Sequence, residues 1–244
     1  MDHKIPQVIF QDDNFVVINK PAGMIVNNAD TSRDEYTVQD WVLEKQGTEN
    51  RGQGTDSEFE KRGGIVHRLD KETSGALIVA LNSQSFDFIQ KQFKERIVKK
   101  EYLALVHGKL VSEGEINVPI GRLPWNRMRF GVIPQGRESY TEFKTIAHKE
   151  LREGRSVEEL SLVEVYPQTG RTHQIRVHMQ YAGYPIYADS LYAGRKTFAR
   201  DRKHLLRHFL HASKISFVSP TTEKKVIFVA PLTSELVDFL GQLT

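Results

Sequence analysis

The stretch that most constrains this chain is Ala76 to Leu81 (ALIVAL), a short unbroken apolar run bounded by turn residues. Such a run suits a strand buried on both faces. Immediately before it lies Gly63 to Gly75 (GGIVHRLDKETSG), a turn-rich loop that carries Arg68 and Asp70. A loop that feeds a buried strand has a rigid platform behind it, so Asp70 is expected to be held still beside a core.

Further short β-prone runs surround this one. Val8 to Phe10 and Phe15 to Ile18, separated by Gln11-Asp12-Asp13-Asn14, read as a hairpin. Lys99 to Val106 reads as a strand whose period of two sends Tyr102, Ala104 and Val106 to one face and Leu103 and Leu105 to the other. Glu115 to Ile120, Glu138 to Ile146, Leu160 to Val165, and the pair Ile215 to Val218 and Val226 to Val229 continue the pattern. Helices are few. Thr37 to Gln46 opens with Thr-x-x-Asp and spaces Val38, Trp41 and Val42 helically, and Ser83 or Ser85 can cap a helix that turns Phe86, Ile89 and Phe93 inward. Arg171 to Met179 begins where a strand stops, with Ile175, Met179 and Ala182 on one helical face and Gly183 as the stop. Thr233 or Ser234 caps a last helix with Leu236, Val237 and Leu240. Many short strands with few helices predict an α+β fold, a largely antiparallel mixed sheet flanked by helices and loops with a site in a cleft. A single domain over 1–244 is expected, interrupted by a mobile polar loop at about 47–62, where three glycines and little apolar surface cannot offset ordering entropy.

The sequence has no cysteine, which leaves no disulfide framework or thiolate zinc site, and the N-terminus has no long apolar segment. A cytoplasmic, membrane-free, monomeric protein is expected. Metal binding is not expected: His173 and His178 are five apart and do not align on a helix, and His204, His208 and His211 run into a β-pattern. The net charge is only +3, from 34 basic and 31 acidic residues, so its distribution matters more. Gly121 to Arg137 carries Arg122, Arg127, Arg129 and Arg137 with no acid, interleaved with Trp125 and Phe130. Arg195 to Arg207 sets six basic residues against Asp201 alone. Positive charge among aromatic rings suits phosphates and unstacked bases, and nominates Arg129 as a substrate contact.

Three strings carry a more specific signal. His67-Arg68-Leu69-Asp70 followed by Lys-x-Thr-Ser-Gly, Lys100-x-Tyr102-x-Ala-Leu-Val-His-Gly, and Gly170-Arg-Thr-His-Gln-Ile-Arg-Val-His178, with Asn19-Lys20-Pro21-Ala22-Gly23 ahead of them, resemble the motifs of the RluA-type pseudouridine synthases. The resemblance covers roughly Val8 to Leu240, the catalytic core without the N-terminal RNA-binding domain of many members. It implies an isomerase that flips a uridine out of ribosomal or transfer RNA and moves its uracil from a nitrogen to a carbon linkage, without cofactor or obligate protein partner. It assigns Asp70 as the catalytic aspartate, Tyr102 as the ring that stacks on the base, and Arg176 as the partner that favours the charged form of Asp70. Arg68, His67, Arg171 and Ile175 fall on the substrate side. Asn27 stands where members often have histidine. Two other classes use the same residues: a non-catalytic RNA-binding factor, which would bind RNA without product, and a nucleoside hydrolase or glycosylase, which would release free uracil.

Overall fold

The structure, a computed structural model, describes residues 5–28, 35–45 and 57–244, with Arg127 described by its backbone alone. It is an α+β fold whose residues cluster into two compact units, Met1–Lys99 with Ala212–Pro231, and Lys100–His211 with Leu232–Thr244.

In the first unit β1 (Gln7–Gln11) and β2 (Phe15–Lys20) form the expected antiparallel hairpin. Asp12 closes it, its carboxylate accepting the N–H groups of Asn14 and Phe15 at 2.8 and 2.9 Å. Helix α1 (Val38–Lys45) is held by a reciprocal cap: Thr37 Oγ1 accepts the Asp40 N–H and Asp40 Oδ2 accepts the Thr37 N–H. A short α2 (Glu58–Arg62) follows, then β3 (Ser74–Ala80) and α3 (Ser83–Lys94). Strand β3 is buried along its whole length, as its unbroken apolar run predicts, and pairs with β2 from Phe15↔Ala80 to Lys20↔Gly75. Phe15, Val17, Ile78 and Ala80, alternate residues on adjacent strands, pack with Phe86 and Ile89 of α3 into one core.

Two expectations are corrected here. The cap of α3 is Asn82, whose side chain accepts the Ser85 N–H, so the cap lies one residue ahead of Ser83, the first helical residue. Of the loop expected at 47–62, residues 47–56 lie outside the described residues, and the remainder is ordered as α2. Ser57 caps that helix and Gly63 closes it in the left-handed region at φ 55°. Phe59 supplies the apolar anchor, its ring edge-on to Phe86 at 5.8 Å. One half-buried ring, packed on the core, anchors this single capped turn.

The second unit holds β4 (Lys99–His107), β5 (Glu113–Asn117), β6 (Ile120–Leu123), β7 (Asn126–Val132), β8 (Tyr140–Glu153) and β9 (Ser156–Pro167). After these come α4 (Gln174–Tyr181) and α5 (Arg195–Asp201). Strand β10 (Leu210–Val218) crosses into the first unit and pairs there with β11 (Lys225–Val229), and α6 (Ser234–Leu240) ends the chain in the second. Strands β4, β9, β8 and β5 pair in that order, all antiparallel. The two predicted faces of β4 are realised: Ala104 and Val106 join one core with Ile175 and Met179 of α4, whereas Leu105 joins another with Tyr187, Phe209 and Phe239.

Three details differ from the sequence reading. The strand expected over Glu115 to Ile120 is split by Pro119, which has no N–H to donate, so β5 ends at Asn117 and β6 begins at Ile120. The segment from Gly121 is a hairpin, β6 on β7, closed by Pro124-Trp125 between Leu123 and Asn126. In α6 it is Leu236 and Phe239 that are buried, while Val237 is 51% exposed.

Candidate active site

In the first unit the loop before β3 is laid against that strand by successive contacts. Gly64 O accepts the Ala80 N–H at 2.9 Å, Ile65 bridges Val79, and His67 Nε2 accepts the Ile78 N–H at 2.9 Å. The His67 ring stacks on Phe93 at 4.8 Å. Gly64 cannot be replaced without strain, because its φ is +75° and an added Cβ would lie 2.0 Å from Ala80 O. Leu69 is buried at 4% exposure, Arg68 is exposed and Asp70 is half-buried, so the loop anchors itself through its leucine.

A second brace grips the residue after Asp70. Lys20 is fully buried, and its ammonium donates to Pro21 O, Met24 O and Lys71 O at 2.9, 2.8 and 3.1 Å. Gly23 N donates to Lys71 O at 2.8 Å, and Thr73 N to Asp70 O at 3.1 Å. A buried ammonium is tolerable only when carbonyl dipoles replace its water. The Asn-Lys-Pro-Ala-Gly turn is thereby tied to the turn that carries Asp70.

In the second unit Tyr102 stands opposite Val165 on β9, half-buried and packed on the core that includes Ala104 and Ile175. The third motif is fixed by a chain of buried polar groups. Thr169 Oγ1 donates to Gln174 Oε1 at 2.7 Å, and the Gln174 amide donates to Tyr140 O and Thr141 Oγ1 at 3.0 and 2.9 Å. His178 lies beside Thr141 Oγ1 through Nδ1 at 2.8 Å and Val118 O through Nε2 at 3.2 Å. Burial pushes the His178 pKa down, outweighing the Val118 bond, so it is a neutral ring that accepts from the threonine and donates to the carbonyl. These bonds tie α4 to β8. His173, just ahead of the helix, takes a left-handed conformation at φ 57°.

Arg176 is 4% exposed and is gripped by Asp189, which accepts from Nε at 2.7 Å and Nη2 at 2.9 Å. Burial alone would raise the Asp189 carboxyl, but the hydrogen bonds and charge of Arg176 outweigh it and hold it below the usual carboxylate range. The Arg176 guanidinium also lies 5.0 Å from the Tyr192 ring centroid, and Arg129 lies 5.3 Å from the same centroid. Burial pushes the Tyr192 phenol up, so its hydroxyl keeps its proton.

Of the residues singled out in the sequence, His67, Arg68 and Asp70 share the loop of the first unit. Arg129 and Arg176 meet at Tyr192 in the second. Ile175 is a core residue at 6% exposure, and Arg171 donates from Nε to Glu138 O at 3.1 Å. Lys20, Gln174 and His178 stood within the motifs without a role of their own, and Asp189 and Tyr192 were not singled out. His107, Glu158 and Asp201 also converge, but the two ring nitrogens face different carboxylates at 2.8 and 2.9 Å, and Arg200 contacts both acids. That arrangement fits a protonated imidazole that gives one N–H to each carboxylate.

The family profile of RNA pseudouridylate synthase matches residues 14–181, which span both the Asp70 loop and the Arg176 helix. The chain belongs to the RNA pseudouridylate synthase family. Its curated relatives lie on the RluA-type branch. It is 39% identical over 202 residues to an uncharacterised RNA pseudouridine synthase of Chloroflexus aurantiacus, covering 83% of this chain and 58% of the relative. It is 36% identical over 219 residues to ribosomal large subunit pseudouridine synthase C of Vibrio vulnificus, covering 89% of this chain and 62% of the relative. The chain thus spans about six-tenths of the length of these two synthases. Among solved structures, human RNA pseudouridylate synthase domain containing 1 aligns with a TM-score of 0.72 and 28% identity, over 98% of this chain and 88% of that one. Among the described residues no helix is long and apolar enough to cross a membrane.

Proposed function

We propose that the chain isomerises uridine to pseudouridine in RNA, with ribosomal RNA as the substrate class, in keeping with the names of its large-subunit relatives. The reaction breaks the bond from uracil N1 to the ribose, turns the base, and joins ribose to C5; C5 gives up a proton and N1 gains one. Nothing is oxidised and no group leaves. Such chemistry needs an ionised carboxylate at the sugar and base, and a site that excludes water.

Asp70 is the carboxylate in this reading, acting as nucleophile or base. The observation that carries it is the double brace on its turn: the β3 contacts of Gly64, Ile65 and His67 on one side and the buried Lys20 ammonium on the other. A surface turn without a task would not require a buried cation to steady it. Arg176 is the cation that keeps the reacting carboxylate charged, and Asp189 holds its guanidinium oriented. Tyr102 offers the flipped base a ring face, and Arg68, exposed on the Asp70 loop, fills the gap the base leaves, offsetting a flipping cost of a few kcal/mol. His67 serves from beneath by fixing that loop, while Arg171 and Arg129 meet the RNA backbone and Ile175 lines the base site.

The test is incubation of the protein with ribosomal and transfer RNA, each labelled with tritium at uracil C5, because joining C5 to ribose releases that label to water. Release from the ribosomal fraction, with pseudouridine in the digest, is expected. Free uracil, or RNA binding without release, would refute the isomerase reading.

A further inference from the structure

Tyr192 sits where three segments of the second unit meet, and it addresses each with a different group. Its backbone N–H and that of Leu191 donate to Asp189 Oδ1 at 3.0 and 2.9 Å, on the same carboxylate that grips Arg176. Its hydroxyl accepts the Phe130 N–H of β7 at 3.1 Å and faces His173 Nδ1 at 2.9 Å. Its ring lies against both the Arg176 and the Arg129 guanidinium groups. At 4% exposure Tyr192 is too deep to meet a macromolecule itself.

What it links to Arg176 is the hairpin β6–β7, a two-stranded sheet of its own. That hairpin turns Trp125 and Met128 outward at 78% and 79% exposure and lays Arg122 over Phe130. Exposed rings among arginines are what RNA phosphates and unstacked bases engage. Its attachment to α4 is a small cluster of Ile120, Val177 and Tyr192 with Phe130 and Val132 packed on it. Beside it Arg129 Nε is buried and has no hydrogen-bond partner among the described residues. The Arg129 guanidinium is thus steadied by a ring face, a weak and orientation-dependent hold that shifts when the hairpin shifts.

We infer that Tyr192 is a positioning residue that conveys the placement of the β6–β7 hairpin to the guanidinium of Arg176, so that RNA seated on the hairpin fixes the arginine for the chemical step. The inference rests on the isomerase reading and deepens it, giving a route from binding to turnover. Asp189 fixes two guanidinium nitrogens, and the ring of Tyr192 fixes the plane. The hairpin in turn fixes the ring, through the Phe130 N–H and Arg129.

Single-turnover rates at saturating enzyme, with ribosomal RNA carrying the tritium label, separate this from a purely structural role. Tyr192→Phe keeps the ring and removes the hydroxyl; it is expected to slow the chemical step roughly tenfold with unchanged RNA affinity, in a protein that still unfolds cooperatively at a somewhat lower melting temperature. Arg129→Ala and Arg129→Lys should each slow that step, since lysine keeps the charge but not the flat guanidinium on the ring. The double variant Tyr192→Phe, Arg129→Ala should be no slower than its slower parent, because both break one link. Wild-type rate in Tyr192→Phe, wild-type rate in Arg129→Lys, or multiplying effects in the double variant would each overturn the inference. A wild-type chain that releases no tritium sinks the isomerase reading and this inference together, whereas an active wild type beside an unimpaired Tyr192→Phe sinks this inference alone.

Discussion

His107 makes a prediction whose size can be worked from its surroundings. On β4 its Nδ1 lies 2.8 Å from Glu158 Oε1 and its Nε2 2.9 Å from Asp201 Oδ2, and Asp201 is fully buried. Burial pushes the imidazole toward neutrality, but the hydrogen bonds its protonated ring donates to Asp201 and Glu158 outweigh it and raise the pKa from 6.5 to about 9. A neutral imidazole donates from one nitrogen only, so deprotonation leaves one carboxylate facing a lone pair. Because the folded value lies above the unfolded one, the stabilisation is complete below pH 6.5 and is lost as pH rises through about 9. At 1.36 kcal/mol per unit the pair is worth at most about 3 kcal/mol, and less in proportion as Arg200 already neutralises the acids. Urea unfolding of wild type and His107→Gln, compared below pH 6.5 and above pH 9, reads the effect as the change in the difference between the two proteins. The wild type should lose its advantage over the variant across that interval. A difference independent of pH would refute the assignment of a protonated imidazole bonded to both acids.

Two further outcomes follow from the braces on the Asp70 loop. Lys20→Met keeps the side-chain length but leaves Pro21 O and Met24 O without their donor, and should destabilise by about 2–4 kcal/mol in urea while slowing turnover; an unchanged unfolding midpoint would refute the role given to the ammonium. Gly64→Ala must relieve a contact of 2.0 Å with Ala80 O at φ +75° and should cost at least ~2 kcal/mol, read as a lower melting temperature.

What could be read in the sequence was what repeats locally. The burial of β3, the two faces of β4 and the Thr37–Asp40 cap follow from runs, a period of two and a spacing of three, each enforced by neighbours along the chain. The β6–β7 hairpin escaped because a Pro-Trp turn lacks the Asn-Gly chemistry that marks two-residue loops, and α2 because its order rests on the single ring of Phe59. The proposed site residues Asp70, Tyr102 and Arg176 are conspicuous only through whole motifs. Their supports are invisible locally: Asp189 is 13 residues from Arg176, and Thr141 meets His178 across 37. Lys20 reads as an ordinary charged residue until the fold surrounds it with three carbonyls. Hydrogen bonds between distant segments have no period, so topology has to come first.

The most direct test of the whole account compares wild type with Asp70→Asn on tritium-labelled ribosomal RNA, enzyme in excess, reading tritium release, pseudouridine content and RNA binding together. The exchange is nearly isosteric on a turn held by backbone bonds, so folding and RNA affinity should survive. The account predicts pseudouridine from the wild type and none from Asp70→Asn at undiminished RNA binding. Pseudouridine formed by the asparagine variant would contradict it.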